Sequence, residues 1–143
     1  MIIKKSLTIL RWIYALLFFL IGARSLLVMA GLMPSPEYPG SPEGKAFAEA
    51  IFSQGFISPL MSITYFAAGI LIIIKRTAPL GLVLLAPFIV SILLTHLMFE
   101  PNPIFGIIIA LLWVLFVWRF RKTYQPMWNY RDTIENNKTK IEK

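Results

Sequence analysis

Five polar side chains could carry chemistry in a chain that is otherwise dominated by apolar residues. They are Arg24, Glu49, Gln54, His96 and Glu100. An ionisable side chain within an apolar stretch is costly to bury, so it usually pairs with another polar group or serves a binding site or proton pathway. Arginine and histidine can donate hydrogen bonds to ligand oxygen atoms, and carboxylates and histidine can pass protons. These five residues are therefore the candidate ligand-binding residues.

The charged candidates also have structural interpretations. Arg24 could form a buried ion pair with Glu49 or Glu100 that fixes the orientation of a helix. His96, the single histidine, could be a hydrogen-bonded residue at a helix end, a ligand or proton-relay group, or a metal or haem ligand. Glu100, which precedes Pro101, could be a hydrated carboxylate at an interface. We predict no metal site and no catalytic residue, and since no nucleophile and base occur at a suitable spacing, we do not expect an enzyme that acts alone.

Four apolar stretches must position these residues. They run roughly over residues 6–33, 57–74, 78–99 and 104–118. Each is near the ~20 residues that an α-helix needs to cross the hydrocarbon core of a bilayer. The chain is 57% hydrophobic and 15% charged, which lies outside the usual composition of a soluble domain. We predict an all-α fold, a polytopic transmembrane four-helix bundle over residues 1–130, followed by a charged cytoplasmic tail over residues 131–143.

The distribution of positive charge predicts the orientation of this bundle. Cations open the first stretch, fill the turn between the second and third stretches, and follow the fourth: Lys4, Lys5, Arg11, Lys75, Arg76, Arg119, Arg121 and Lys122. By the positive-inside rule these positions, and hence both termini, are cytoplasmic. Topology and attraction to anionic lipid account for the net charge of +7, so we expect no nucleic-acid partner.

The connection between the first and second stretches is predicted to contain a short amphipathic helix on the outer surface. Ser41 and Pro42 have the form of an N-cap followed by proline at the first helical position. In residues 45–54 polar side chains recur every four positions opposite an apolar flank. Ser58 and Pro59 repeat the cap signal and predict where the second span begins.

This topology gathers the candidate residues near the outer side of the membrane. Arg24 lies about nine residues before the predicted end of the first helix, or roughly 13 Å below it. His96 and Glu100 are four residues apart and share one face of the third helix near its outer end. Glu49 and Gln54 approach the same side from the amphipathic helix. The sequence therefore predicts a polar pocket in the outer leaflet.

Several segments occur in a characteristic order along the chain. They are an arginine in the outer half of the first helix, residues 46–47, 54–56 and 58–60 around the entrance of the second, residues 79–87 at the start of the third, and residues 96–101 at its end. Over roughly residues 5–127 this order resembles the DoxX-like family of small bacterial four-helix membrane proteins. The resemblance implies a bacterial plasma-membrane protein, and some members of that family are subunits of quinone-linked oxidoreductases such as thiosulfate:quinone oxidoreductase.

Two functional hypotheses follow. In the first, the chain is an accessory membrane subunit whose outer pocket binds a quinone or a lipid, with Arg24 and His96 donating hydrogen bonds to the ligand. Its partners would then be the lipid bilayer, an oxidoreductase subunit or a second copy of this chain. In the second, the chain is a small proton-coupled transporter or carrier with Glu49, His96 and Glu100 as relay groups.

Overall fold

The fold is all-helical. The computed structural model describes residues 2–35 and 41–128, with side chains for all of these except residues 2–4, 52 and 126–128. Within these ranges the helices are α1 (Ile2–Met29), α2 (Pro42–Phe52), α3 (Ile57–Ile73), α4 (Ala78–Phe99), α5 (Ile104–Arg119) and α6 (Arg121–Trp128), and no strand occurs among them. The predicted all-α class is confirmed. Helix α6 was not predicted, and the tail over residues 131–143 lies outside the described residues.

Two of the helices are long and apolar enough to cross a membrane, judged by length and composition. They are α4 and the part of α1 from Lys5 to Met29, with 22 and 25 residues. The apolar helices α3 and α5 are shorter, with 17 and 16 residues. At 1.5 Å per residue these two shorter helices extend about 24 to 26 Å.

Helix α1 ends earlier than the sequence predicted. The apolar run continues to Met33, but the helix stops at Met29 because Gly31 adopts a left-handed conformation with a φ of 72°. The amides of Gly31 and Leu32 donate to the carbonyls of Val28 and Leu27, at 3.0 and 2.9 Å. This is the Schellman pattern, which satisfies the last carbonyls of a helix and favours glycine at the left-handed position.

The predicted start of α2 is confirmed, whereas the predicted cap of α3 is wrong. The Ser41 side chain accepts a hydrogen bond from the Gly44 amide at 3.1 Å, with proline at the first helical position. Helix α3 begins at Ile57, so its N-cap residue is Phe56 and not Ser58, and no side chain forms a capping hydrogen bond there. The first amide of α3, that of Ile57, instead donates to the Gln54 carbonyl at 3.1 Å in the tight turn after α2.

The four apolar helices pack in the order α1, α3, α4, α5, and α2 lies across the ends of α3 and α4. Glycines allow the close approaches. A Cβ atom built on Gly69 would lie 2.6 Å from the Phe19 backbone nitrogen, and one built on Gly81 would lie 3.0 Å from the Ala68 carbonyl oxygen. Small residues therefore set the spacing of the helices at these contacts.

Helices α1 and α5 are joined by side chains rather than by a close backbone approach. The Tyr14 hydroxyl donates to the Ile109 carbonyl at 3.3 Å, and its ring lies 5.4 Å from that of Phe116 and 5.0 Å from that of Phe18. These rings are fully buried. We call this contact the α1–α5 seam.

The helices define an N-terminal end and a loop end of the molecule. At the N-terminal end α1 begins, α3 turns into α4, and α5 passes into α6. At the loop end α1 finishes, α2 lies across the other helices, and α4 turns into α5.

Candidate functional site

A cavity of about 470 Å³ opens at the loop end between α1, α2 and α3, and we call it the Arg24 cavity. Its lining comes from α1, from residue 35, from α2 and from α3: Ile21, Arg24, Ser25, Val28, Met29, Ser35, Glu49, Ser58, Met61, Ser62 and Tyr65. It thus combines one cation, one carboxylate and four hydroxyl groups of serine with aliphatic, thioether and aromatic side chains. Ligand pockets commonly combine a mainly apolar wall with a few polar groups in this way.

Arg24 and Glu49 share this cavity without pairing directly. Both residues are exposed, and among the described residues no ion pair joins Arg24 to Glu49 or to Glu100. The buried ion pair that the sequence offered as the structural interpretation of Arg24 is therefore not formed. Neither side chain has a hydrogen-bond partner among the described residues, so both are available to a ligand.

Arg24 lies nearer to the end of its helix than the sequence predicted. Helix α1 finishes at Met29, five positions later, which places Arg24 about 7.5 Å from the helix end instead of roughly 13 Å. The early end at Gly31 therefore places Arg24 closer to the loop end, where it lines the cavity.

A short hydrogen bond fixes the wall of the cavity between α1 and α3. The Ser25 and Ser62 hydroxyl oxygens lie 2.6 Å apart, and the Ser62 hydroxyl donates to the Ser58 carbonyl at 2.7 Å. Because Ser62 has a single proton and uses it on Ser58, Ser25 is the donor between the two hydroxyls. This bond therefore joins α1 to α3 at the cavity.

Ser25 itself was missed by the sequence analysis. The signal that could have found it is its spacing of three residues from Gly22, which places both on the face of α1 that approaches α3.

Helix α2 holds Glu49 over the cavity through aromatic contacts with α4. The Phe47 and Phe99 rings are stacked with their centroids 5.0 Å apart. A Cβ atom built on Gly44 would lie 3.0 Å from the Phe99 Cβ, so the α2 backbone rests directly on that side chain. The apolar flank of the predicted amphipathic helix is thus used to seat it on α4.

His96 lies outside the lining of the Arg24 cavity. Its Nδ1 is 2.8 Å from the Ile92 carbonyl oxygen, and its side chain packs on Gly106, where a Cβ atom would lie 2.7 Å from the His96 Cβ. Its ring is also 5.5 Å from that of Phe105. His96 therefore faces α5, whereas the cavity lies between α1 and α3.

Gln54 and Glu100 are also absent from this lining. Gln54 is exposed in the turn between α2 and α3, and the Glu100 amide donates to the His96 carbonyl at 3.3 Å as the C-cap of α4. The structure brings together Arg24 and Glu49 of the five candidates. No group of three or more metal-binding side chains occurs in the part of the chain that the structure describes.

A second cavity of about 470 Å³ lies on the outside of α4 and α5 toward the N-terminal end, and no sequence signal indicated it. Its lining is almost wholly apolar: Val83, Ala86, Trp113, Val114, Val117, Trp118, Arg121 and Tyr124. Two of its polar groups are occupied, since the Trp113 indole donates to the Leu82 carbonyl and the Tyr124 hydroxyl donates to the Pro79 carbonyl, both at 2.9 Å. The Arg121 guanidinium lies 4.7 Å above the Trp118 ring.

Comparisons with known proteins found no relative from which a role for the site could be inferred. No family model matches the chain, and no curated protein or solved structure is significantly similar to it. The resemblance to DoxX-like proteins therefore rests on the residues quoted above.

Proposed function

We propose that this chain is an integral membrane protein whose Arg24 cavity binds an amphiphilic ligand, a quinone or a lipid, and that it serves as an accessory subunit. The observation that carries the proposal is that Arg24 and Glu49 line one cavity without pairing, beside a wall of apolar side chains. Such a cavity suits a ligand that has an oxygen-bearing head and a hydrocarbon body.

Exposed apolar side chains support the membrane location. Large ones cover the outward faces of α1, α4 and α5: Ile9, Ile13, Leu20, Leu80, Val90, Met98, Leu111, Val114 and Trp118. A soluble monomer rarely exposes such extensive apolar surface, whereas lipid tails would cover it at no cost. The shorter helices α3 and α5 would be accommodated by local thinning of the bilayer or by flanking side chains that reach the interface.

Charge supports the proposed orientation, with the N-terminal end in the cytoplasm. The described cations at that end are Lys5, Arg11, Lys75, Arg76, Arg119, Arg121 and Lys122, while the described carboxylates, Glu43, Glu49 and Glu100, belong to α2 and to the turn after α4. Under the positive-inside rule the Arg24 cavity then opens toward the outer leaflet.

Each polar group has a defined role in this proposal. Arg24 donates hydrogen bonds to a carbonyl or phosphate oxygen of the ligand head. Glu49 accepts a hydrogen bond from a hydroxyl or ammonium group of the same head. Ser25 offers free lone pairs, because its proton is used on Ser62. The resemblance to DoxX-like proteins favours a quinone as the ligand and an oxidoreductase subunit as the partner.

The carrier hypothesis finds no supporting contact within the described residues. A proton relay would have to connect Glu49 with His96, but His96 bonds to the Ile92 carbonyl and packs on α5, away from the Arg24 cavity.

The test of this proposal is ligand-dependent thermal stabilisation of the purified full chain in detergent. Decylubiquinone and phosphatidylethanolamine are added in separate arms, and the melting temperature is followed by tryptophan fluorescence. We expect at least one of them to raise the melting temperature of the parent. Arg24→Gln should weaken binding by about 10- to 100-fold, since a hydrogen bond from a charged group contributes about 1.5 to 3 kcal/mol.

Lys45→Gln is the matched control, because Lys45 is an exposed cation on α2 that does not line the cavity. It should retain the ligand-dependent shift of the parent. Equal shifts in Arg24→Gln and the parent, or no shift with either ligand, would contradict the proposed site.

A further inference from the structure

Arg11 is a buried cation with an unsatisfied donor. Only 7% of the residue is exposed, and its Nη1 atom has no hydrogen-bond partner. Leaving a charged donor buried and unpaired is costly, and such a group in a native protein usually marks a place for a water or an ion. The sequence had suggested for Arg11 only a role in topology.

Two effects disfavour the positive charge of Arg11: burial is the larger, and repulsion by Arg119 at the end of α5 is the smaller. Among the described residues of this end no carboxylate compensates these positive charges. Repulsion of a buried cation by a second cation is unfavourable, and an anion would relieve it.

The position of Arg11 along α1 matches the level of lipid phosphates. Arg11 lies eighteen positions before Met29, about 27 Å at 1.5 Å per residue, which is close to the ~30 Å thickness of a hydrocarbon core. It lies one turn before Tyr14, at the α1–α5 seam, where side chains bridge the two backbones.

We propose that Arg11 and Arg119 form a binding site for the phosphate of an anionic phospholipid at the N-terminal end of the seam. A phosphate oxygen accepts the hydrogen bond that Arg11 otherwise lacks, and its negative charge relieves the repulsion between the two arginines. The inference rests on the membrane location proposed above but not on the ligand of the Arg24 cavity.

The test compares phosphatidylglycerol, phosphatidylcholine and inorganic phosphate as additives to the full chain in detergent. The buffer contains about 0.5 M salt, which screens attraction between exposed cations and anionic lipid far more than a hydrogen bond from the buried Arg11. We expect phosphatidylglycerol to raise the melting temperature by about 4 °C or more relative to phosphatidylcholine. Inorganic phosphate at the same concentration should give no comparable shift.

Three variants assign the effect to the arginines. Arg11→Met should abolish the shift with phosphatidylglycerol and raise the melting temperature in phosphatidylcholine, since it removes an uncompensated buried charge. Arg119→Gln should reduce the shift. Arg76→Gln, which removes an exposed cation from the turn between α3 and α4, should retain it.

Specific outcomes would overturn the inference. An equal phosphatidylglycerol shift in Arg11→Met and the parent would do so, and so would an equal response to inorganic phosphate. A third such outcome is a phosphatidylglycerol shift that appears only when Asp132 and Glu135 are changed to Asn and Gln, because a carboxylate of the chain itself would then be the acceptor of Arg11 in the parent. A chain that stays soluble without detergent would instead refute the membrane location.

Discussion

Replacement of Gly22 by alanine tests how closely α1 approaches α3 beside the Arg24 cavity. A Cβ atom at this position would lie 2.8 Å from the Phe66 Cα and 2.9 Å from the Ser62 carbonyl oxygen, and nearer still to the Phe66 nitrogen. All three are backbone atoms, so they cannot rotate away. Since carbon atoms in contact prefer separations of about 3.5 to 4.0 Å, α1 would have to move outward by roughly 0.5 to 1 Å.

The magnitude follows from two opposing effects. Overpacking of this kind costs about 1 to 3 kcal/mol, and alanine recovers up to ~1 kcal/mol through its higher helix propensity. We expect Gly22→Ala to lower the free energy of unfolding by about 1 to 2 kcal/mol and the melting temperature by about 3 to 8 °C. The outward movement should also lengthen the 2.6 Å contact between Ser25 and Ser62 and weaken ligand binding.

The assay is thermal unfolding of the purified chain in detergent, followed by tryptophan fluorescence with and without decylubiquinone. Gly55→Ala is the control, because Gly55 is exposed in a turn and a Cβ atom there would meet nothing within 4 Å. It should change the free energy of unfolding by no more than about 0.5 kcal/mol. A Gly22→Ala protein as stable as the parent would refute the close packing of α1 on α3.

Two further predictions concern His96 and the orientation. His96→Ala should lower the free energy of unfolding by about 1 to 2 kcal/mol, because the hydrogen bond to Ile92 and the packing on Gly106 are lost. The melting-temperature shift caused by decylubiquinone should stay unchanged. Unchanged stability together with a loss of that shift would instead make His96 a ligand-binding residue. Cysteines introduced at Ser35 and Asn102 should react with an impermeant thiol reagent applied outside the cell. Cysteines at Thr77 and Thr123 should not react, and labelling at Thr77 would reverse the proposed orientation.

The helices could be predicted well wherever hydropathy changes sharply at a boundary. The predicted span over residues 78–99 coincides with α4, and the cap and proline before α2 were sufficient to locate its start. The end of α1 could not be predicted in this way, because hydropathy does not fall at the helix end and residues 31–33 continue the apolar run. The backbone conformation of Gly31 decides it. Helix α6 was missed because it is polar and short.

The level of each candidate residue along its helix could be predicted from the sequence, but the neighbouring helix that it faces could not. A spacing of four residues shows that His96 and Glu100 share a face, yet it does not show which neighbouring helix that face meets. In the structure His96 packs on α5, while Arg24 of α1 and Glu49 of α2 line one cavity. The sequence likewise did not predict the burial of Arg11, since a cation near the start of a span usually lies at the membrane interface.

The glycine contacts between α1 and α3 have a thermodynamic consequence. In a bilayer, two helices that separate exchange contact with each other for contact with lipid tails, so little apolar surface becomes exposed to water. The heat capacity of unfolding arises mainly from hydration of newly exposed apolar surface. If this chain resides in a membrane, parting α1 from α3 should therefore add little to its heat capacity of unfolding, and the stability of that contact should vary almost linearly with temperature instead of passing through a maximum.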